Sequence, residues 1–149
     1  MTEAEQDSVR DAILHRNITL HNDIQEVPLL AAFAEEVCEA LGIETVTTMQ
    51  INLALEEAVV NVMQYAYPDD AQGHVHISAT ANDKRLKFVI VDDGAPFDPT
   101  TFGDVDTSKP VEERNIGGLG IHLVRQIMDS VDYERVEGQN ILTLRKILG

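Results

Sequence analysis

Glu57 and Asn61 stand four residues apart in the run Leu53 to Tyr67. If that run is helical, the two side chains share a face one turn apart, beside an apolar stripe of Leu55, Ala58, Val59, Val62 and Ala66. A carboxylate can take a proton, and an amide oxygen can ligate a hard cation such as Mg²⁺ without neutralising it. The same spacing also occurs on solvated helix faces, so the pair alone does not separate a metal-assisted site from an exposed polar edge.

Two further segments give the pair a context. In Val91-Asp92-Asp93-Gly94-Ala95-Pro96-Phe97 a strand ends at a carboxylate, and Gly94 lets the backbone turn close to a ligand. Asp92 can accept a hydrogen bond from an exocyclic amine, the group that distinguishes adenine from guanine. In Gly117-Gly118-Leu119-Gly120 bare backbone N–H groups open a helix, where the positive end of the helix dipole suits phosphates. The common nucleotide fingerprints are absent: no glycine loop followed by Lys and Ser/Thr, no Gly-x-Gly-x-x-Gly after a strand, and no His-Arg-Asp kinase signature.

The elements that must position these residues follow from periodicity. An early strand is expected over Ile13 to Asn22, at a sheet edge, followed by a helix from about Gln25 to Leu41. Asn22 or Asp23 would cap that helix and Gly42 stop it, with Pro28 tolerated in the first turn and Leu29, Leu30, Phe33, Val37 and Leu41 facing inward. Thr45, Thr47 or Thr48 would cap the long helix and Pro68 stop it. Strands His74 to Ala81 and Arg85 to Asp92 flank the tight loop Asn82-Asp83-Lys84, and the second reads as central and buried on both faces.

Asp93 to Gly118 is punctuated by Gly and Pro and lacks periodicity, as binding loops and lids do. A helix is expected from about Leu119 to Asp129, with Leu119, Leu123, Val124, Ile127 and Met128 inside. Strands Ser130 to Val136 and Ile141 to Ile147 would meet at the turn Glu137-Gly138-Gln139-Asn140. This order predicts an α+β fold: a two-layer sandwich of a mixed, mostly antiparallel sheet with helices on one face. The sequence predicts a flexible acidic start over residues 1–12 and a single domain over 13–149 with a lid at about 95–117.

The chain has 149 residues, enough for one domain with a single core. Its formal charge of −15, from 26 acidic and 11 basic residues, argues against direct contact with nucleic acid or an anionic membrane. A basic protein partner suits it better, although the acidic excess equally serves solubility. Cys38 is the single cysteine, so no internal disulfide or thiolate cluster is possible, and it reads as a core residue. His74 and His76 alternate on one strand and read as surface residues rather than a zinc site. No signal peptide and no apolar run near the roughly 18 residues of a membrane span occurs, so a cytoplasmic location is expected.

The three segments, in this order, resemble the boxes of the Bergerat-fold ATPases, the superfamily of gyrase, heat-shock chaperone, sensor histidine kinase and mismatch-repair ATPases. Glu57 and Asn61 match the N box; Asp92, Gly94 and, with a departure, Pro96 match the Asp-x-Gly-x-Gly box; Gly118 and Gly120 match the Gly-x-Gly box. Glu-Ala-Val-x-Asn over Glu57 to Asn61, Asp-x-Gly-x-Pro-Phe over Asp92 to Phe97, and Gly117 to Val124 are similar to the anti-sigma factor serine kinases in particular. The resemblance spans about residues 13 to 147 and implies a histidine-kinase-like ATPase fold.

It also implies roles. Asn61 would ligate Mg²⁺ on the ATP phosphates, and Glu57 would act as general base toward a serine hydroxyl or water. Asp92 would hold the adenine amine, with Gly94 and Pro96 shaping that loop. Gly118, Leu119 and Gly120 would line the triphosphate, and Arg114, with Lys109 and His122, would meet the γ-phosphate. Glu56, five residues from Asn61, would tune Glu57. The implied function is a kinase that binds a sigma factor and phosphorylates a serine on an anti-anti-sigma antagonist of the STAS type. The alternative is a non-catalytic nucleotide-binding module that sequesters its partner. The family's habit of dimerising implies a homodimer, with the first strand's edge as its contact.

Overall fold

In the computed structural model, residues 12–67, 72–101 and 116–148 are described, with backbone alone for 116–120. The element order is β1 (Leu14–His21), α1 (Val27–Ala40), α2 (Thr45–Tyr65), β2 (His74–Ala81), β3 (Arg85–Asp92), α3 (Ile116–Ile127), β4 (Ser130–Val136) and β5 (Gln139–Ile147). The five strands form one sheet in the order β1-β2-β3-β5-β4. Every described pairing is antiparallel, so the sheet lies at the fully antiparallel limit of the expected mixture. β1 is an edge strand as expected, and β3 is central.

The alternation of each strand selects one core face. Val75, Ile77, Ala79 and Ala81 of β2, Leu86, Phe88 and Ile90 of β3, and Leu142 and Leu144 of β5 are buried in phase. The helices pack on this face, giving the two-layer α+β sandwich. β3 is not fully buried on both sides: Arg85, Lys87, Val89 and Val91 on its second face are half-buried. Two-layer architecture explains the difference, because the described helices cover one face only.

Helix boundaries follow local chemistry with some departures. Asp23 caps a short 3-10 turn, Ile24–Glu26, by accepting from Gln25 N at 2.9 Å, and α1 follows with Pro28 in its first turn. Gly42 ends α1 with φ 68°, a left-handed conformation glycine adopts without steric cost. Leu29 is 54% exposed, so it does not belong to the core, whereas Leu30, Phe33 and Val37 do. Cys38 is fully buried, and burial pushes its thiol pKa up.

α2 starts earlier than expected, with Glu44 as its extended N-cap residue and no side-chain cap. The threonines sit inside the first turn instead: Thr48 Oγ1 donates to Glu44 O at 2.9 Å and Thr47 Oγ1 to Glu44 Oε1 at 3.1 Å. α2 ends at Tyr65, and Pro68, the expected stop, lies outside the described residues. The predicted apolar stripe of Leu55, Ala58, Val59, Val62 and Ala66 is buried throughout.

α3 begins at Ile116 rather than Leu119 and buries Ile121 and Val124, with Met128 just beyond its end; Leu123 and Ile127 are half-buried. The β4–β5 connection is tighter than expected. Glu137 (φ 50°) and Gly138 (φ 81°) form a two-residue turn, both in the left-handed region that matches the strand twist. Gln139 and Asn140 therefore belong to β5, not to the turn.

Candidate functional site

Asp92 closes β3 in phase with Leu86, Phe88 and Ile90, so its carboxylate is carried onto the core face and is 2% exposed. Its Oδ1 accepts from Gly94 N at 2.9 Å and from Asn140 Nδ2 at 2.9 Å. No described residue donates to Oδ2. Burial pushes the Asp92 pKa up, against the lowering effect of the Asn140 amide and the Gly94 N–H.

Asn140 is a residue that the sequence reading missed. It is 3% exposed and pairs with Asp92 across the β3–β5 ladder. Its Nδ2 also donates to Ala95 O at 2.8 Å, while its Oδ1 accepts from Phe97 N at 3.2 Å and from the Tyr133 hydroxyl. One carboxamide thus fixes both Asp92 and the loop after it. An in-phase position two residues before Leu142 was the available signal, hidden by its assignment to a turn.

Gly94 meets a packing requirement in addition to the close approach to a ligand expected of it. A Cβ there would lie 2.4 Å from Ala66 O, at the end of α2. Ala95 N donates to that same carbonyl at 2.7 Å. The loop is therefore bolted to the helix that carries Glu57 and Asn61. Tyr67 adds a second clamp, its hydroxyl accepting from Asp93 N at 3.2 Å and sharing its proton between Asp93 Oδ1 (2.7 Å) and His74 O (2.9 Å). Arg135 donates to Gly94 O at 2.8 Å, and Phe97 stacks on Tyr65 with ring centroids 5.2 Å apart. Pro96 lies between these anchored residues.

Asn61 precedes Ala66 by five residues, about 7.5 Å of helix rise. It is 4% exposed, and its Nδ2 has no hydrogen-bond partner among the described residues. A buried amide left unpaired costs about 1–3 kcal/mol, which a ligand acceptor would recover. Glu57, one turn earlier, is half-exposed. The Nδ2 donor suits an anionic acceptor such as a phosphate oxygen, the Oδ1 of the same carboxamide is the atom that could hold a cation, and accessible Glu57 one turn away can take a proton.

α3 packs alongside α2, bringing the backbone of Gly118, Leu119 and Gly120 to the same layer. These residues lie inside the helix rather than just before it. His122 is exposed, and Arg125 donates to Thr100 O at 2.6 Å. Arg114, Lys109, residues 1–11 and most of the expected lid (102–115) lie outside the described residues. His74 and His76 are exposed on the uncovered sheet face, and no cluster of metal-ligating residues occurs among the described residues.

With this geometry in view, the class is defined: the chain belongs to the histidine kinase-like ATPase domain family, whose model it matches over residues 20–146. Among curated proteins it is similar to the serine-protein kinase RsbW of Bacillus cereus (strain AH820) and of Bacillus anthracis, at 33% identity over 101 residues. That alignment covers 65% of this chain and 62% of the relatives, so it spans less than two thirds of their length.

Two solved structures share the fold. The RsbU and RsbW domains of a Mycobacterium tuberculosis protein superpose with a TM-score of 0.64 at 17% identity, over 90% of this chain and 32% of that one. The SiaB–SiaC complex from Pseudomonas aeruginosa gives 0.52 at 15% identity, over 97% and 95%. No described helix is long and apolar enough to cross a membrane.

Proposed function

We propose that this chain is an ATP-dependent serine/threonine protein kinase of the anti-sigma type, which binds a sigma factor and phosphorylates a serine on a STAS-type antagonist. The observation that carries the reading is Asn61: a buried carboxamide whose Nδ2 has no partner among the described residues, one turn from half-exposed Glu57, on a helix tied through Ala66 to the Asp92 loop. The likeness to serine-protein kinases supports the same chemistry.

Asp92 Oδ2 accepts the adenine amine while Oδ1 stays held by Asn140 and Gly94. Gly94 and Pro96 shape the base pocket, Gly118, Leu119 and Gly120 line the phosphates, and Arg114 meets the γ-phosphate. Asn61 would hold Mg²⁺, which would supply neutralisation of the phosphate charge. Glu57 takes the proton of the acceptor serine; the serine oxygen bonds to the γ-phosphorus, the bond to the β,γ-bridging oxygen breaks, and ADP departs. The protein works in the cytoplasm and pairs as a homodimer through the edge of β1.

The test is Glu57→Gln, assayed with labelled ATP and a cognate antagonist. Phosphate transfer should fall by about two to four orders of magnitude with ATP affinity retained, the loss expected for a missing general base. Undiminished transfer removes Glu57 from the mechanism; tight ATP binding by the unaltered chain with no transfer leaves the non-catalytic, partner-sequestering module.

A further inference from the structure

α2 carries a second feature on the side away from the core. Val46, Met49 and Leu53 are 63%, 67% and 42% exposed. At 100° per residue they fall within about 60° of one another, and the line continues through Glu57 to half-buried Val60. An isolated exposed apolar residue needs no explanation, but three at helical spacing form a stripe. This stripe runs directly into the carboxylate read above as the general base.

The surrounding charge limits what can cover it. Neither Val27–Ala40 nor Thr45–Tyr65 contains a Lys or Arg. Exposed Glu35 and Glu39 lie on α1 and exposed Glu44 precedes α2, where Lys146 lines the same cleft as Glu44 and Thr47, while Glu36 is answered by Arg16 at 3.4 Å. A second copy would bring the same acidic face, and an anionic membrane would be repelled. A protein with an apolar ridge rimmed by Lys and Arg meets both the stripe and its charge.

We infer that the Val46–Met49–Leu53 stripe is the docking surface for the phosphoacceptor protein, which binds through an apolar ridge with a basic rim and thereby delivers its serine to Glu57. This rests on the kinase reading of Glu57. The stripe supplies affinity and register, and the chemistry stays with Glu57 and Asn61. A partner seated along α2 reaches the base without rearrangement of the core, because stripe and base share one rigid helix.

The experiment compares the full chain with a Met49→Glu/Leu53→Glu variant, both changes being at exposed positions. The probe is the STAS-domain protein encoded nearest to this chain, and a fluorescent ATP analogue reports the nucleotide site. The expected result is unchanged analogue affinity and kcat, a KM for the probe raised about tenfold or more, and probe binding that weakens with salt. A variant that handles the probe as the unaltered chain does, a probe that fails to bind the unaltered chain, or a variant whose only change is in self-association overturns the proposal. Stripe-dependent binding of the probe without phosphate transfer upholds the docking surface and refutes the kinase reading instead.

Discussion

Asn140 Nδ2 donates to Asp92 Oδ1 at 2.9 Å between two side chains that are register partners on neighbouring strands and almost fully buried. The carboxylate is thereby oriented by a group that cannot itself titrate, and one of its oxygens is left for a ligand. Asn140→Ala should release both Asp92 and the Ala95 carbonyl. We expect a loss of about 1–3 kcal/mol in stability and at least about tenfold in ATP affinity, checked by denaturant unfolding and by titration with a fluorescent ATP analogue.

Asp92 should make stability depend on pH. Burial places its folded pKa above the ordinary aspartate value of about 3.9, so between that value and the raised one the folded state binds more protons than the unfolded state. This contribution to stability therefore falls as pH rises through that window and stays low above it. Asp92→Asn removes the cost while keeping an oxygen for Asn140 and Gly94. Thermal melts should show the variant more stable than the unaltered protein at pH 7, a gain that shrinks as pH falls toward the ordinary aspartate range. Nucleotide binding should be lost, because an amide N–H₂ replaces the acceptor.

Gly94→Ala tests the junction of loop and helix. The added methyl would meet Ala66 O at 2.4 Å, and neither backbone segment can yield cheaply. We expect destabilisation of about 2–4 kcal/mol in urea unfolding, with weakened nucleotide binding because Asp92 and α2 move apart.

Asn61 separates stability from ligand binding. Its Nδ2 is buried without a partner among the described residues, so Asn61→Ala should leave the nucleotide-free protein within about 1 kcal/mol of the unaltered one, or above it. Thermal shift with Mg-ATP at about 100 times Kd should stabilise the unaltered protein by about 2.7 kcal/mol and the variant by much less. An equal shift in both would remove Asn61 from the site.

Much of the fold is legible in local pattern. Alternation marks β2 and β3, helical spacing marks α1 and α2, and Gly42 ends α1 as its conformational freedom predicts. The order of the Glu57–Asn61, Asp92–Gly94 and Gly118–Gly120 segments likewise requires no structure. The errors lie where a local signal had two readings. Thr45, Thr47 and Thr48 suit a cap or a first turn, Leu29 suits either side of a helix, and Glu137 to Asn140 suits a long or a short turn.

Sequence by itself thus determined the residue types that can take a proton, hold a cation and accept an amine, and the elements that carry them. Only the tertiary structure decided what each touches. Asp92 and Asn140 are 48 residues apart, and their contact depends on the register of β3 against β5, two strands that no local turn joins. Gly94 reads locally as freedom to turn, yet its requirement is the Ala66 carbonyl 28 residues earlier in the chain. Periodicity reports which face of an element is apolar; long-range packing decides which polar groups on that face meet.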